Sequence, residues 1–231
     1  MPGPFFISFE GGEGAGKTTQ AEILSKTLEN LHIGSVLFRE PGSTPLGRHL
    51  RNYLKGMQPL TKEAELLLFE AARAELVREK IKPSLDQGLT VIADRFEAST
   101  IAYQGYGRGI DIEIIKNLNN FATQGIYPDV TFLLDLAPEQ GLMRTGGIQL
   151  SLPLGFEEPV EYVRRDIEGR RFEDLALRFH ERIRTGYLHL AEQDPDRWIV
   201  IDATLPESLI SHQVLHHVSE RLGIPSNHAT K

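Results

Sequence analysis

The chain has 231 residues, 40% of them hydrophobic, which is enough for one substantial core and gives no sign of a disordered protein. It contains no cysteine, so disulfides, zinc-thiolate and iron-sulfur centres and thiolate catalysis are excluded, and a reducing compartment is permitted. A net charge of −7 argues against a long footprint on DNA or RNA, which needs many lysines and arginines to neutralise phosphates, but leaves room for a small anion in a local basic pocket.

The opening MPGPFFISF is too short, and lacks the basic flank, to be a signal peptide or a spanning helix, so a cytoplasmic protein away from the membrane is expected. Short apolar runs suited to buried parallel strands follow at Phe5 to Phe9, Ser35 to Phe38, Leu89 to Ala93, Val130 to Leu134 and Trp198 to Ile201. Between the first two, Ala21, Leu24, Leu28 and Leu31 recur at helical spacing, and Gly34 is expected to stop that helix. Thr61 and Pro206 are expected to begin two more helices, and Phe172 to Glu192 reads as a long amphipathic one. Strands alternating with helices predict an α/β fold, a five-stranded parallel sheet with helices on both faces and ligands at the carboxyl ends of the strands. Residues 1–225 read as a single domain, and 226–231, beyond Pro225, as a flexible tail.

Between the first strand and the first helix, Gly11-Gly12-Glu13-Gly14-Ala15-Gly16-Lys17-Thr18 fits G-x-x-x-x-G-K-[ST] in the context that motif requires, with Thr19 completing the loop. Glycines let successive backbone N–H groups converge on phosphate oxygens, and the helix N-terminus adds its positive end. Lys17 would reach the outer phosphates and Thr18 would ligate magnesium, so ATP with Mg2+ is expected. Two apolar runs end in aspartate, at Asp94 and Asp135, and either is a candidate for the acid that holds magnesium through water. Asp94 is followed by Arg95, a fixed cation of the kind that a phosphorylated acceptor requires. Asp135 precedes Leu-Ala-Pro-Glu and a new helix, and serves equally well as a strand-end cap.

Seven segments in one order, EGGEGAGKTT, FREPGST, LLLFEAARAELV, DRFEASTIAYQGYGRGI, YPDVTFLLDLAPE, RFEDL with FHERIRTGYLHLA, and IDAT, resemble the thymidylate kinase family. The phosphate loop is shared with many enzymes; FREPG, FEAAR and AYQGYGRG single out this family. The resemblance implies a P-loop nucleoside monophosphate kinase-like fold, transfer of the ATP γ-phosphate to dTMP in dTTP biosynthesis, and a homodimer. It also implies roles for individual residues. Lys17, Arg95 and Asp94 would be catalytic, with Arg95 on the dTMP phosphate and Asp94 positioning Mg2+ or the acceptor. Arg39 and Arg51 resemble further anion-facing arginines, although Arg51 is read equally well as an exposed helix cation.

In FEAAR, Phe69 and Arg73 lie four apart on one helix face, where Phe69 would stack on thymine and Arg73 would donate to a ring carbonyl. Ser99 is included with the substrate residues; Thr100 and Gln104 resemble those that meet the base edge, Tyr103 would crowd the sugar 2′ position, and Glu13 would accept from the 3′-OH. In this family a lid closes over ATP, and a catalytic arginine comes from the loop or the lid. With Ala15 in the loop, the lid, about residues 145–171, is expected to supply it as Arg171, with Arg164 or Arg165 as other registers. His212, His216 and His217 read as a solvated helix face rather than a metal site. Two other readings stand beside this one: a kinase for another nucleoside monophosphate or a deoxynucleoside, and a P-loop ATPase that switches a protein partner.

Overall fold

The computed structural model describes residues 3–55, 60–145 and 165–223, with the side chains of 55 and 165–176 left aside. The terminal tail and the greater part of the expected lid lie outside the described residues. Five parallel strands, β1 (Phe5–Glu10), β2 (Ser35–Arg39), β3 (Thr90–Asp94), β4 (Val130–Asp135) and β5 (Trp198–Asp202), form one sheet in the order β2-β3-β1-β4-β5. Each expected strand is present within about one residue at either end, as is usual for boundaries. The helices are α1 (Lys17–Asn30), α2 (Pro45–Lys55), α3 (Lys62–Leu76), α4 (Lys82–Asp86), α5 (Glu97–Thr100), α6 (Ile112–Thr123), α7 (Pro138–Arg144), α8 (Arg165–Gln193) and α9 (Glu207–Leu222). Single π-helical stretches continue α3 over Val77–Ile81 and α5 over Ile101–Gly107.

The central strands are buried on both faces, which is why they read as continuous apolar runs rather than alternating ones. Side chains still alternate between the two layers. Ile7, Phe9, Ile92, Phe132 and Leu134 pack with Leu24 and Leu28 of α1 and Val214 and Val218 of α9. Phe6, Val91 and Ala93 point the other way, to Leu76 and Phe96, and Leu133 meets Phe179, Ile183 and Tyr187 of α8. Thr61 caps α3, its hydroxyl accepting from the Ala64 amide at 3.3 Å, and Pro206 is the N-cap residue of α9, as the sequence suggests.

Two boundaries differ from expectation. Helix α1 ends at Asn30, and His32, not Gly34, takes the left-handed conformation at φ 56°. Gly34 instead lies against Leu89, whose Cδ2 a Cβ there would approach to 2.8 Å, so that side chain would have to shift. Helix α8 begins at Arg165, seven residues before the amphipathic pattern, so Arg171 lies within the helix rather than ahead of it.

The phosphate loop also packs backbone to backbone against α7. A Cβ on Gly14 would strike the Gly141 carbonyl oxygen, and a Cβ on Gly141 would strike that of Glu13. Replacing Gly141 by alanine must therefore push the loop and α7 apart, costing about 1–3 kcal/mol. Gly141→Ala is expected to lower the urea midpoint and raise KM for a nucleoside triphosphate; an unchanged KM in the folded variant would refute this coupling.

Candidate active site

The parallel register sets the site. Phe9 of β1 and Arg39 of β2 both pair with Asp94 of β3, so three chain ends arrive together at the carboxyl edge of the sheet. Gly11 to Gly16 then curl over that edge before α1 begins. Gly14 sits at φ 68° and Gly16 at φ 91°, backbone that glycine adopts without a Cβ penalty. Lys17 folds back on the loop, its Nζ donating to the Gly12 carbonyl at 2.6 Å, and is 7% exposed. Burial, with the Arg95 charge, brings its pKa down to about 8 against the pull of Glu13, Asp94 and Glu10.

Thr18 donates its hydroxyl proton to Asp94 Oδ2 at 2.6 Å, and Arg39 Nε lies 3.4 Å from the same oxygen. Arg95 follows at φ 74°, a left-handed conformation unusual for a residue with a side chain. Its guanidinium is enclosed: Nη1 donates to Ser99 Oγ at 3.2 Å and Tyr187 Oη at 3.3 Å, and Nη2 to Glu13 Oε1 at 3.1 Å and Tyr103 Oη at 2.9 Å. It also lies 4.9 Å from the centre of the Tyr103 ring. Burial would raise the Glu13 carboxyl, but the Arg95 and Lys17 charges outweigh it and hold it at about 2. Glu13 thus spans the gap between the loop cation and the strand-end cation.

A second cluster lies behind the first. Arg73, 1% exposed, is ion-paired with Glu40 and donates to Glu70 at 2.8 Å, Asn119 at 2.6 Å and Thr100 at 2.8 Å. Its Nε is buried without a partner. Burial pushes Glu40 up to about 7 despite Arg73, and Glu97, whose burial is reinforced by the Glu10 charge, likewise to about 7. Gln104 donates to Glu65 at 2.6 Å, and Arg108 holds the other oxygen of Glu65 at 2.7 Å. Phe69 is half-buried on α3, one turn before Arg73.

The residues singled out from sequence therefore fall into one region, with some in different company. Thr100 and Gln104, which resemble residues that meet the base edge, are bonded to Arg73 and Glu65 respectively. Arg51 is half-buried rather than an exposed cation, and donates to the Pro41 carbonyl at 2.9 Å. Asp135 neither caps α7, whose N-cap Ala137 makes no side-chain bond, nor stands free: Arg184 of α8 grips it through two bonds of 2.7 and 2.8 Å. The side chain of Arg171 lies outside the described residues. His216 and His217 face Glu220 on their own helix at 3.6 and 3.9 Å.

Sequence reasoning passed over Glu10, Glu40 and Tyr187. Glu10 closes an apolar strand and is fully buried, accepting from the Phe96 amide at 2.7 Å, Ser99 at 2.6 Å and Tyr187 at 2.9 Å. A carboxylate at the end of FFISFE, where both faces must be covered, was the available signal.

A glycine loop with its lysine at the head of this parallel sheet, opposite an arginine, Arg95, at the end of the neighbouring strand, defines a P-loop nucleoside monophosphate kinase fold. Comparisons narrow it. A family model for thymidylate kinase matches residues 9–214. A thymidylate kinase of Thermomicrobium roseum is 41% identical over 216 residues, 94% of this chain and 95% of the relative. One from Desulfovibrio desulfuricans is 46% identical over 203 residues, covering 87% and 88%. The crystal structure of thymidylate kinase from Ehrlichia chaffeensis superposes with a TM-score of 0.71 at 36% identity, covering 94% of this chain and 99% of that one. The chain belongs to the thymidylate kinase family.

Proposed function

We propose that this chain phosphorylates dTMP to dTDP with MgATP, a step in making dTTP, using the site at the carboxyl edge of the sheet. The observation that carries this reading is the pair of cations, Lys17 and Arg95, held on either side of Glu13 within a buried network. A phosphate monoester has a second pKa of about 6, so the acceptor is already mostly a dianion at pH 7 and needs no base. What it needs is alignment with the triphosphate and offset of charge repulsion. Gly11 to Thr19 and Lys17 would cradle the ATP phosphates, and Arg95, with Arg39 and Arg51 nearby, would take the phosphate of dTMP. Phe69, Arg73, Thr100 and Gln104 would meet the base, and Glu13, Ser99 and Tyr103 would surround the sugar and phosphate.

Thr18 and Asp94 suit a magnesium ion: a hydroxyl and a carboxylate 2.6 Å apart beside the loop are hard oxygen donors. No group of three or more His, Asp or Glu that could hold a metal occurs among the described residues, so phosphate oxygens and water would complete the shell. When bound, Mg2+ supplies charge neutralisation between the phosphates.

A coupled assay for ADP, run with dTMP, dUMP, dCMP, thymidine and no acceptor, tests the assignment. dTMP is expected to be preferred, with dUMP poor but detectable, because a methyl contact is worth about 1–3 kcal/mol. Equal rates with dUMP or dCMP would contradict the pocket, and acceptor-independent hydrolysis would favour an ATPase switch.

With Ala15 in the loop, the reading assigns the second catalytic cation to Arg171 on α8. Arg171→Ala should lower kcat on the order of 100-fold while leaving dTMP affinity intact, since its charge acts in the transition state. Near wild-type turnover would shift the role to Arg164 or Arg165.

The reading includes a cytoplasmic homodimer. No helix among the described residues is long and apolar enough to cross a membrane. Ile114 and Phe121, seven apart on α6, are exposed, as is Leu67 on the neighbouring α3. Sedimentation at micromolar concentration should give twice the 25.9 kDa chain mass, and Phe121→Glu should return it to one; a monomeric wild type would remove this part of the reading.

A further inference from the structure

The guanidinium of Arg95 has two differently furnished ends. At Nη2 stand Glu13 and Tyr103, groups that the proposed substrate would approach. At Nη1 stand the hydroxyls of Ser99 and Tyr187, and both lead to Glu10. The Glu10 carboxylate only accepts, so it draws the protons of those hydroxyls toward it. Each has one, and Ser99 gives its proton to Glu10 Oε2 at 2.6 Å while Tyr187 gives its own to the same oxygen at 2.9 Å. The opposite oxygen of Glu10 is taken by the Phe96 amide at 2.7 Å. When both protons go to the carboxylate, the two hydroxyls, 2.9 Å apart and able to bond each other in the alternative arrangement, present lone pairs to Arg95.

We propose that Glu10, Ser99 and Tyr187 form a positioning relay that orients the hydroxyl lone pairs toward Arg95 Nη1, and so holds the guanidinium with its Nη2 end, which pairs with Glu13 and Tyr103, facing the phosphate of the acceptor. The proposal rests on the reading of Arg95 as the phosphate ligand. The backbone of Arg95, at φ 74°, sets where its side chain starts, but several rotatable bonds lie between Cα and the guanidinium, so partners at its head must set its aim. Tyr187 is well placed for it: 1% exposed, on the long helix α8 that packs on the strand layer, it brings a hydroxyl into the sheet edge from outside the nucleotide loops. Glu10 ties the relay to the phosphate loop, which starts at the next residue. None of the three needs to touch substrate to exert this effect.

The isosteric variant Glu10→Gln separates positioning from packing. An amide in that place has an N–H2 end that donates where the carboxylate accepted, so at least one hydroxyl must turn its proton toward Arg95. The measurement is affinity for dTMP relative to thymidine, the same ligand without its phosphate, by calorimetry, with thermal melting as a check on folding. Glu10→Gln is expected to lower the dTMP-over-thymidine preference about 10-fold, and Tyr187→Phe by about 3-fold, with thymidine affinity unchanged. In an Arg95→Ala background neither change should lower the preference further. Equal weakening of both ligands, or an unchanged preference in folded Glu10→Gln or Tyr187→Phe, overturns the relay. Should Glu10→Gln fail to fold, Tyr187→Phe decides on the same readout. If Arg95→Ala itself leaves the preference unchanged, the fault lies with the assignment of Arg95 and not with the relay alone.

Discussion

Everything at this site depends on the register of β3 between β1 and β2. Pairing Asp94 with Phe9 on one side and Arg39 on the other brings the last residues of three strands to one level. A slip of one residue would turn Asp94 and Arg95 to opposite faces of the sheet, because side chains alternate along a strand. The register is enforced by apolar layers above and below: Ile92 must stay with the α1 side and Val91 and Ala93 with the α3 side. Hydrophobic packing on both faces thus fixes the position of charge at the edge, which is how an α/β sheet turns a core into a binding site.

The charges so placed are expensive to bury and are compensated locally. Arg73 has carboxylates from two directions, and removing one partner from such a buried group costs about 3–5 kcal/mol. Glu40 and Glu97 are pushed up to about 7 by burial first, with neighbouring carboxylates adding to it. Around Arg95 the balance runs the other way, and Glu13 is held ionised at about 2. Such fixed charges and dipoles in a water-poor setting require little reorganisation when a multiply charged substrate arrives.

Much of the fold was legible in the sequence because buried parallel strands are short apolar runs, and all five stood out between helical segments. Boundaries were less so: Gly34 looked like a helix stop, yet the left-handed residue after α1 is His32, and Gly34 lies beside Leu89 where β2 and β3 begin. At the site, Lys17, Thr18, Asp94 and Arg95 were legible because their order along the chain coincides with strand ends. Tyr187 was not, since its hydroxyl meets Glu10 across 177 residues and nothing local on α8 marks it. Thr100 and Gln104 stand in a segment that marks the family, but their partners, Arg73 and Glu65, lie 27 and 39 residues away and carry no local mark of the contact.

The Glu13–Arg95 ion pair has a bearing on inhibitor chemistry. A competing molecule that lacks an anion has no means to repay Arg95 for a displaced carboxylate, so uncharged mimics of the acceptor gain most by leaving that pair intact and drawing their affinity from contacts elsewhere in the site. Compounds built that way would also avoid the poor membrane passage of a phosphate group.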